Sequence, residues 1–144
     1  MNTSKLLLNS RDYVGDWVAK QTGQTSSCGG WGSFNAFGIE VNGAIAAGVV
    51  INNINGANAT AHIAISSTTK LLPKLITVVF DYTFNQLGLL RVTGMVPTDK
   101  PDVIAFDKKL GFEEEFIMKD GAPGADMQIL VMWHDKCRWR PNRS

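Results

Sequence analysis

Neither sign of charge dominates this chain. Its 14 lysines and arginines against 13 aspartates and glutamates leave a formal net charge of +1 over 144 residues, so no global field recruits nucleic acid or an anionic membrane. Cysteine is scarce as well. Cys28 and Cys137 stand far apart and form no C-x-x-C pair, which removes zinc-knuckle and dithiol redox chemistry; both are expected as free thiols, because a reducing compartment suppresses disulfides. No apolar run approaches the roughly 20 residues of a spanning helix, and Leu6-Leu7-Leu8 is too short for the core of a signal peptide. No internal repeat, low-complexity segment or metal-ligand spacing is present. Hydrophobic residues at 44% and charged residues at 19% exclude collagen, coiled coil and polyelectrolyte. One globular domain over residues 1–144 is expected, soluble and cytoplasmic.

The residues that are present order themselves into a short helical start, a block of strands, and then alternating helix and strand. Ser10 is placed to cap a helix whose first turn holds Asp12, and Gly23 is placed to stop it. A Gly/Ser/Thr-rich loop follows over 22–32, so that 1–33 reads as an N-terminal helix and loop. Strands are expected at 34–41, 44–53 and 58–66, joined at Asn42-Gly43 and Asn55-Gly56. In the third, Ala59, Ala61, Ile63 and Ile65 share one face, and Thr60, His62, Ala64 and Ser66 the other.

The period then changes. Pro73 suits the first turn of a helix running to Leu87, and Gly88 ends it. A strand at 89–96, a short helix capped by Asp99 or Asp102 and stopped at Gly111, and strands at 112–118 and 127–133 about the Gly121-Ala122-Pro123-Gly124 turn complete the pattern. Residues 136–144 form a basic C-terminal tail. Such an order predicts an α+β mixed, mostly antiparallel sheet, with a right-handed βαβ unit linking 58–66 to 89–96.

The run Phe106-Asp107-Lys108-Lys109-Leu110-Gly111-Phe112-Glu113-Glu114-Glu115 resembles the F-x-x-K-L-G-F-x-x-E element of the GNAT acyltransferase superfamily. Leu90 to Val96 looks like that family's fifth strand, and the resemblance covers about 34–133. Tyr82 to Gly88 and Cys137-Arg138-Trp139 are similar to small acetyltransferase-like proteins of tailed phages, which would place the chain in a host cytoplasm. The resemblance implies a splayed central pair of parallel strands with flanking helices, and acetyl-CoA or another acyl-CoA as co-substrate. Pantetheine would add to the splayed edge near Ala64, Ile65 and Ser66. Pyrophosphate would sit on Ser67, Thr68, Thr69, Lys70, Leu71 and Leu72 ahead of the long helix, with Lys74 adding charge and with Lys100 and Phe106 contributing from the later helix.

Two departures from the family are visible. The anion loop carries no glycine where the family has R/Q-x-x-G-x-G/A, and Asp107 stands near where the family holds the tyrosine that protonates the departing thiolate. Lys100 occupies the place of a frequent asparagine.

Each candidate has two readings. His62 relays a proton from an amine nucleophile, or is a hydrogen-bonded histidine on the sheet's second face. Glu40 acts as a base through water, or is a solvated carboxylate. Asp107 serves as a general acid if burial raises its pKa strongly, or pairs with a lysine on the helix surface. Tyr82 is expected as a core aromatic. The C-terminal basic cluster is solvated, or contacts phosphate. The expected function is transfer of an acyl group from acyl-CoA to an amine, with His62 or Glu40 as base and an amide near Ala64 and Ile65 polarising the thioester. A homodimer fits the exposed sheet edges. The alternatives are a GNAT-fold binding protein without turnover and a DNA-base-modifying enzyme on the same scaffold.

Overall fold

A computed structural model of the chain describes residues 3–23 and 28–141, the side chains of residues 28 and 29 excepted. Seven strands form one sheet: β1 (Ser4–Leu7), β2 (Phe34–Val41), β3 (Ala44–Asn52), β4 (Asn58–Ile65), β5 (Arg91–Pro97), β6 (Glu113–Ala122) and β7 (Ala125–Trp133), in spatial order β1-β2-β3-β4-β5-β7-β6. Every pairing is antiparallel except β4 with β5, so the expected α+β mixed sheet with a central parallel pair is the observed one.

Local sequence sets the turns. Asn42 and Gly43 both hold positive φ, 53° and 86°, as the tight turn between β2 and β3 requires. Pro123-Gly124 closes the β6–β7 hairpin, whose last pair is Ala122 with Ala125.

Helices cover both faces. On one side, α1 (Arg11–Gln21) lies across β2 and β3 with Val14 and Val18 fully buried. Its approach depends on missing side chains: a Cβ on Gly48 would lie 2.8 Å from Val18 Cγ2 and 3.0 Å from Val14 Cγ1, and one on Gly38 would meet Val14 Cγ2 at 3.1 Å. On the other side, α2 (Leu72–Phe80) buries Leu75, Ile76, Val79 and Phe80, each side chain contributing roughly 1.5–3 kcal/mol by its removal from water. Packed on the same face is α3 (Pro101–Leu110), which ends at Gly111 with φ 120°.

Three expectations are corrected. Residues 1–33 hold more than a helix and a loop: β1 covers Ser4–Leu7 and pairs with β2 at the sheet edge. The long helix is not regular to Leu87, because after Phe80 it widens into a π-helix over Asp81–Gln86, in which Phe84 stacks on Phe80 at 5.7 Å. The basic tail is not solvated through Pro141. Arg138 donates to the carbonyls of Lys109 and Leu110, Trp139 Nε1 donates to Leu110 O at 2.8 Å, and Arg140 Nε donates to Asn85 Oδ1 at 2.6 Å. Free carbonyls at the end of α3 and the negative end of its dipole attract Arg138. Cys137 is a free thiol; the Cys28 side chain lies outside the described residues. No helix among the described residues is long and apolar enough to cross a membrane.

Candidate active site

The parallel strands stay paired only part of the way. Asn58 to Ala61 match Arg91 to Gly94, and there the pairing stops, although β4 continues to Ile65 and β5 to Pro97. Each strand keeps its outer partner beyond that point, Ile65 with Ala47 and Pro97 with Met127. A cleft of about 620 Å³ opens between them. Gln21, Thr22 and Gly23 at the end of α1 reach it from one face of the sheet, and Lys100, Val103 and Asp107 of α3 from the other. It is therefore lined by residues from both faces of the sheet.

Backbone phase decides what the splayed edge offers. Ala57 O accepts from the amides of Leu90 and Arg91, and Ser66 N donates to Ala46 O. Backbone groups alternate in direction along a strand, so the odd residues of β4 face β5 and the even ones face β3. Ile63 and Ile65 therefore turn their N–H and C=O groups to the cleft. The amide of Ala64, expected as a candidate with that of Ile65, points to β3 instead.

His62 lines the cleft, with its ring against Trp31 at a centroid distance of 4.7 Å. Its Nε2 is 2.9 Å from Asn52 Oδ1, while Asn52 Nδ2 donates to Trp31 O at 3.2 Å. The Asn52 oxygen is thus the acceptor, so His62 Nε2 carries the proton and Nδ1 keeps a lone pair. Burial lowers the imidazole to about 4, which leaves it neutral at physiological pH. Trp31 is fixed in turn by donating Nε1 to Gly15 O at 3.0 Å. Position in β4 singled out His62; its supports Asn52 and Trp31 went unread. Asn52 carried a signal, being a polar residue at the end of an apolar strand on the same face as Val50, the residue opposite His62.

Asp107 departs furthest from expectation. It is 4% exposed, far from the lysine-paired surface position expected of it; its neighbour Lys108 pairs with Glu114 at 3.4 Å instead. Burial raises the carboxyl to about 7, and Oδ1 has no hydrogen-bond partner among the described residues. Helical spacing held the clue. Asp107 follows Ile104 by three residues and precedes Leu110 by three, which sets it beside the core-facing stripe of α3.

The remaining candidates divide. Lys100 and Ile65 line the cleft. Phe106, half-buried, packs against the hydrophobic core and is not among the residues that line the cleft. Glu40 is on β2, two strands from the cleft, in an ion pair with Lys5 at 3.6 Å and accepting from Tyr13 Oη at 3.3 Å. It is neither at the cleft nor simply solvated. Tyr82 packs edge-on to Phe37 at 5.2 Å as a core aromatic.

In the loop before α2, Ser66 and Ser67 direct their amides to Ala46 O. Thr69 caps the helix start, its Oγ1 accepting from Leu71 N at 2.9 Å and its carbonyl from Leu72 N at 3.2 Å. Among the described residues, the amides of Thr68, Thr69 and Lys70 have no protein partner. No group of three or more histidine, cysteine or acidic side chains among the described residues is arranged to hold a metal ion.

The chain has a GNAT-like fold. Among solved structures it is similar to a chimera of the Vibrio cholerae spermidine N-acetyltransferase SpeG with hSSAT, at 17% identity and TM-score 0.70, over 92% of this chain and 96% of that one. It is likewise similar to the V. cholerae spermidine N-acetyltransferase in complex with CoA and spermine, at 17% identity and TM-score 0.65, over 94% and 96% of the two chains. Mutant forms of SpeG match at 21% identity and TM-score 0.62, over 73% and 67%. No protein-family model and no curated protein matches the sequence.

Proposed function

We propose that this chain is an acyl-CoA-dependent N-acyltransferase that moves an acetyl or related group to an amine by direct attack. The observation that carries the reading is the separation of β4 from β5 beyond Ala61 and Gly94, which leaves strand-edge donors on a cleft lined from both faces of the sheet. Pantetheine adds along β4 as an extra strand would, and the N–H of Ile63 or Ile65 polarises the thioester carbonyl, a contact that strengthens as charge develops on that oxygen. The pyrophosphate takes the partnerless amides of Thr68, Thr69 and Lys70, with the Lys70 and Lys74 ammonium groups nearby in sequence.

A neutral amine enters from the α1 side and attacks the carbonyl carbon. His62 Nδ1 receives the amine's proton, its lone pair aimed by the Asn52 contact at Nε2. Support comes from the fold shared with an acetyltransferase solved with CoA and spermine. That likeness makes an amine the class of acceptor to screen first.

A second reading, a binding protein of this fold without turnover, is favoured by one observation: the loop before α2 has no glycine, and Thr69 already occupies the amides of Leu71 and Leu72. A base-modifying enzyme has less support, since Arg138 and Arg140 are engaged by protein carbonyls and Asn85.

Calorimetric titration with acetyl-CoA and with CoA, followed by a screen for thiol release with polyamines, amino acids and peptides, tests the proposal. Micromolar binding, about −8 kcal/mol, with amine-dependent thiol release supports it. Micromolar binding without release from any amine favours the binding protein, and no binding at millimolar ligand removes both.

A further inference from the structure

Asp107 is a buried carboxyl that the mechanism above leaves unused. It projects from α3 over the last rung of the parallel pair. Its Oδ2 lies 3.6 Å from where a Cβ would stand on Gly94, the β5 residue paired with Ala61. The absence of a side chain at Gly94 makes the space for it. Its Oδ1 is buried with no hydrogen-bond partner among the described residues, an arrangement that costs stability for a structural group and calls for an explanation.

Among the described residues, no cation forms an ion pair with it. Around the cleft the other titratable side chains are His62 on β4 and Lys100 at the start of α3, and His62 is uncharged. Gly94, Met95 and Val96 of β5, Phe112 and Met127 bring no charge from the other walls. Lys108 is held by Glu114 on the outer surface, and Arg138 by the carbonyls that end α3. Moreover, the last turn of a helix disfavours an anion. Burial without a cation keeps the carboxyl protonated up to about pH 7.

His62 and Asp107 approach the cleft from opposite faces. His62 belongs to the face covered by α1, where its ring meets Trp31. Asp107 belongs to the face covered by α2 and α3. One presents a lone pair and the other a proton, on the two sides of the fork where an extended thioester would lie.

We infer that the Asp107 carboxyl, buried over the fork of β4 and β5, is the acid that protonates the sulfur leaving the thioester. The inference rests on the acyltransferase reading. The new N–C bond forms as His62 Nδ1 takes the amine's proton; the C–S bond then breaks with its electron pair on sulfur, and the proton of Asp107 passes to that sulfur. Amide and thiol leave, His62 returns its proton to solvent, and the Asp107 carboxylate is reprotonated from solvent. Thioester plus amine becomes amide plus thiol with no other reactant.

The test compares wild type with Asp107→Asn on two donors, acetyl-CoA and an S-(4-nitrophenyl) thioacetate, whose thiolate departs without a proton. The acceptor is the amine found by the screen, or water where none is found. The substitution is expected to slow release from acetyl-CoA by about 10²–10³-fold, the range of a lost general acid, and release from the aryl thioester by less than about 5-fold. Equal losses on both donors, or no loss on either, would overturn the acid role while leaving the acyltransferase reading intact. Absence of both CoA binding and thiol release in wild type would overturn the reading itself and this inference with it. A second measurement needs no variant: carboxyl ¹³C shifts of the wild-type protein, assigned through the backbone, should show Asp107 titrating near pH 7. Titration below pH 5 overturns the proposal.

Discussion

His62 and Asp107 share one physical circumstance with opposite results. Burial disfavours the charged form of each, so the histidine is lowered to about 4 and the aspartate raised to about 7. The consequences for stability differ in sign. The unfolded chain ionises Asp107 from about pH 4 upward, whereas the fold holds it neutral to about 7. Its penalty is therefore nil below about 4 and complete above about 7, where it reaches at most about 4 kcal/mol. Asp107→Asn should accordingly be more stable than wild type, by a margin that grows from pH 5 to pH 8 in denaturant titrations. A margin that is flat or reversed would place the carboxylate in a compensated environment. For His62 the unfolded side chain takes a proton from about pH 6.5 downward and the folded one only from about 4. Stability from this group is complete above 6.5 and withdrawn as pH falls towards 4, by up to roughly 3 kcal/mol. His62→Ala should lower turnover at pH 7 by about 10²–10⁴-fold while CoA affinity stays within about twofold by calorimetry; unchanged turnover would return His62 to a structural role. Position along β4 marked His62 in the sequence, because one histidine in an alternating strand stands out. The burial of Asp107 is harder to read, since lysines at 108 and 109 suggest a solvated turn unless the spacing from Ile104 to Leu110 is counted.

The elements that hold these residues depend on a few close approaches. Gly48 lets α1 settle on β3, and a methyl there would stand within 3.0 Å of both Val14 and Val18. Gly48→Ala should cost about 1–3 kcal/mol, the usual range for overpacking, read as a lower denaturant midpoint with unchanged slope. The C-terminal segment contributes differently. Arg138 and Trp139 bond the last carbonyls of α3, the helix that carries Asp107 and Lys100. Arg138→Ala should destabilise by about 1 kcal/mol, the scale of a lost cap. Turn chemistry made most of these boundaries legible, with Asn42-Gly43 and Gly111 placed by their backbone demands. The π-helix after Phe80 was hidden because apolar spacing alone does not separate a turn of i→i+5 bonds from one of i→i+4. Around β1, the run Leu6-Leu7-Leu8 carries no period of either kind, and only pairing with β2 decides that the strand covers Ser4–Leu7.

At the scale of the molecule, the sheet is a continuous frame interrupted once. Antiparallel pairing secures β4 through Ile65 and β5 through Pro97 on their outer sides, so the gap between them is held open by the frame and not by a mobile loop. The order of hairpins, crossover helix and later strands, together with the K-L-G-F run, made this architecture readable. Residue-level detail was less so, because the phase of β4's backbone groups follows from pairing: it turns Ile63 and Ile65 to the cleft and Ala64 away from it. The central claim is that an acyl-CoA lies along that edge. Amide chemical-shift mapping during titration with CoA tests it most directly. The account predicts that the amides of Ile63, Ile65, Thr68, Thr69 and Lys70 shift together and saturate at micromolar ligand. No shift among them at millimolar CoA, or saturable shifts confined to another face of the sheet, would contradict it.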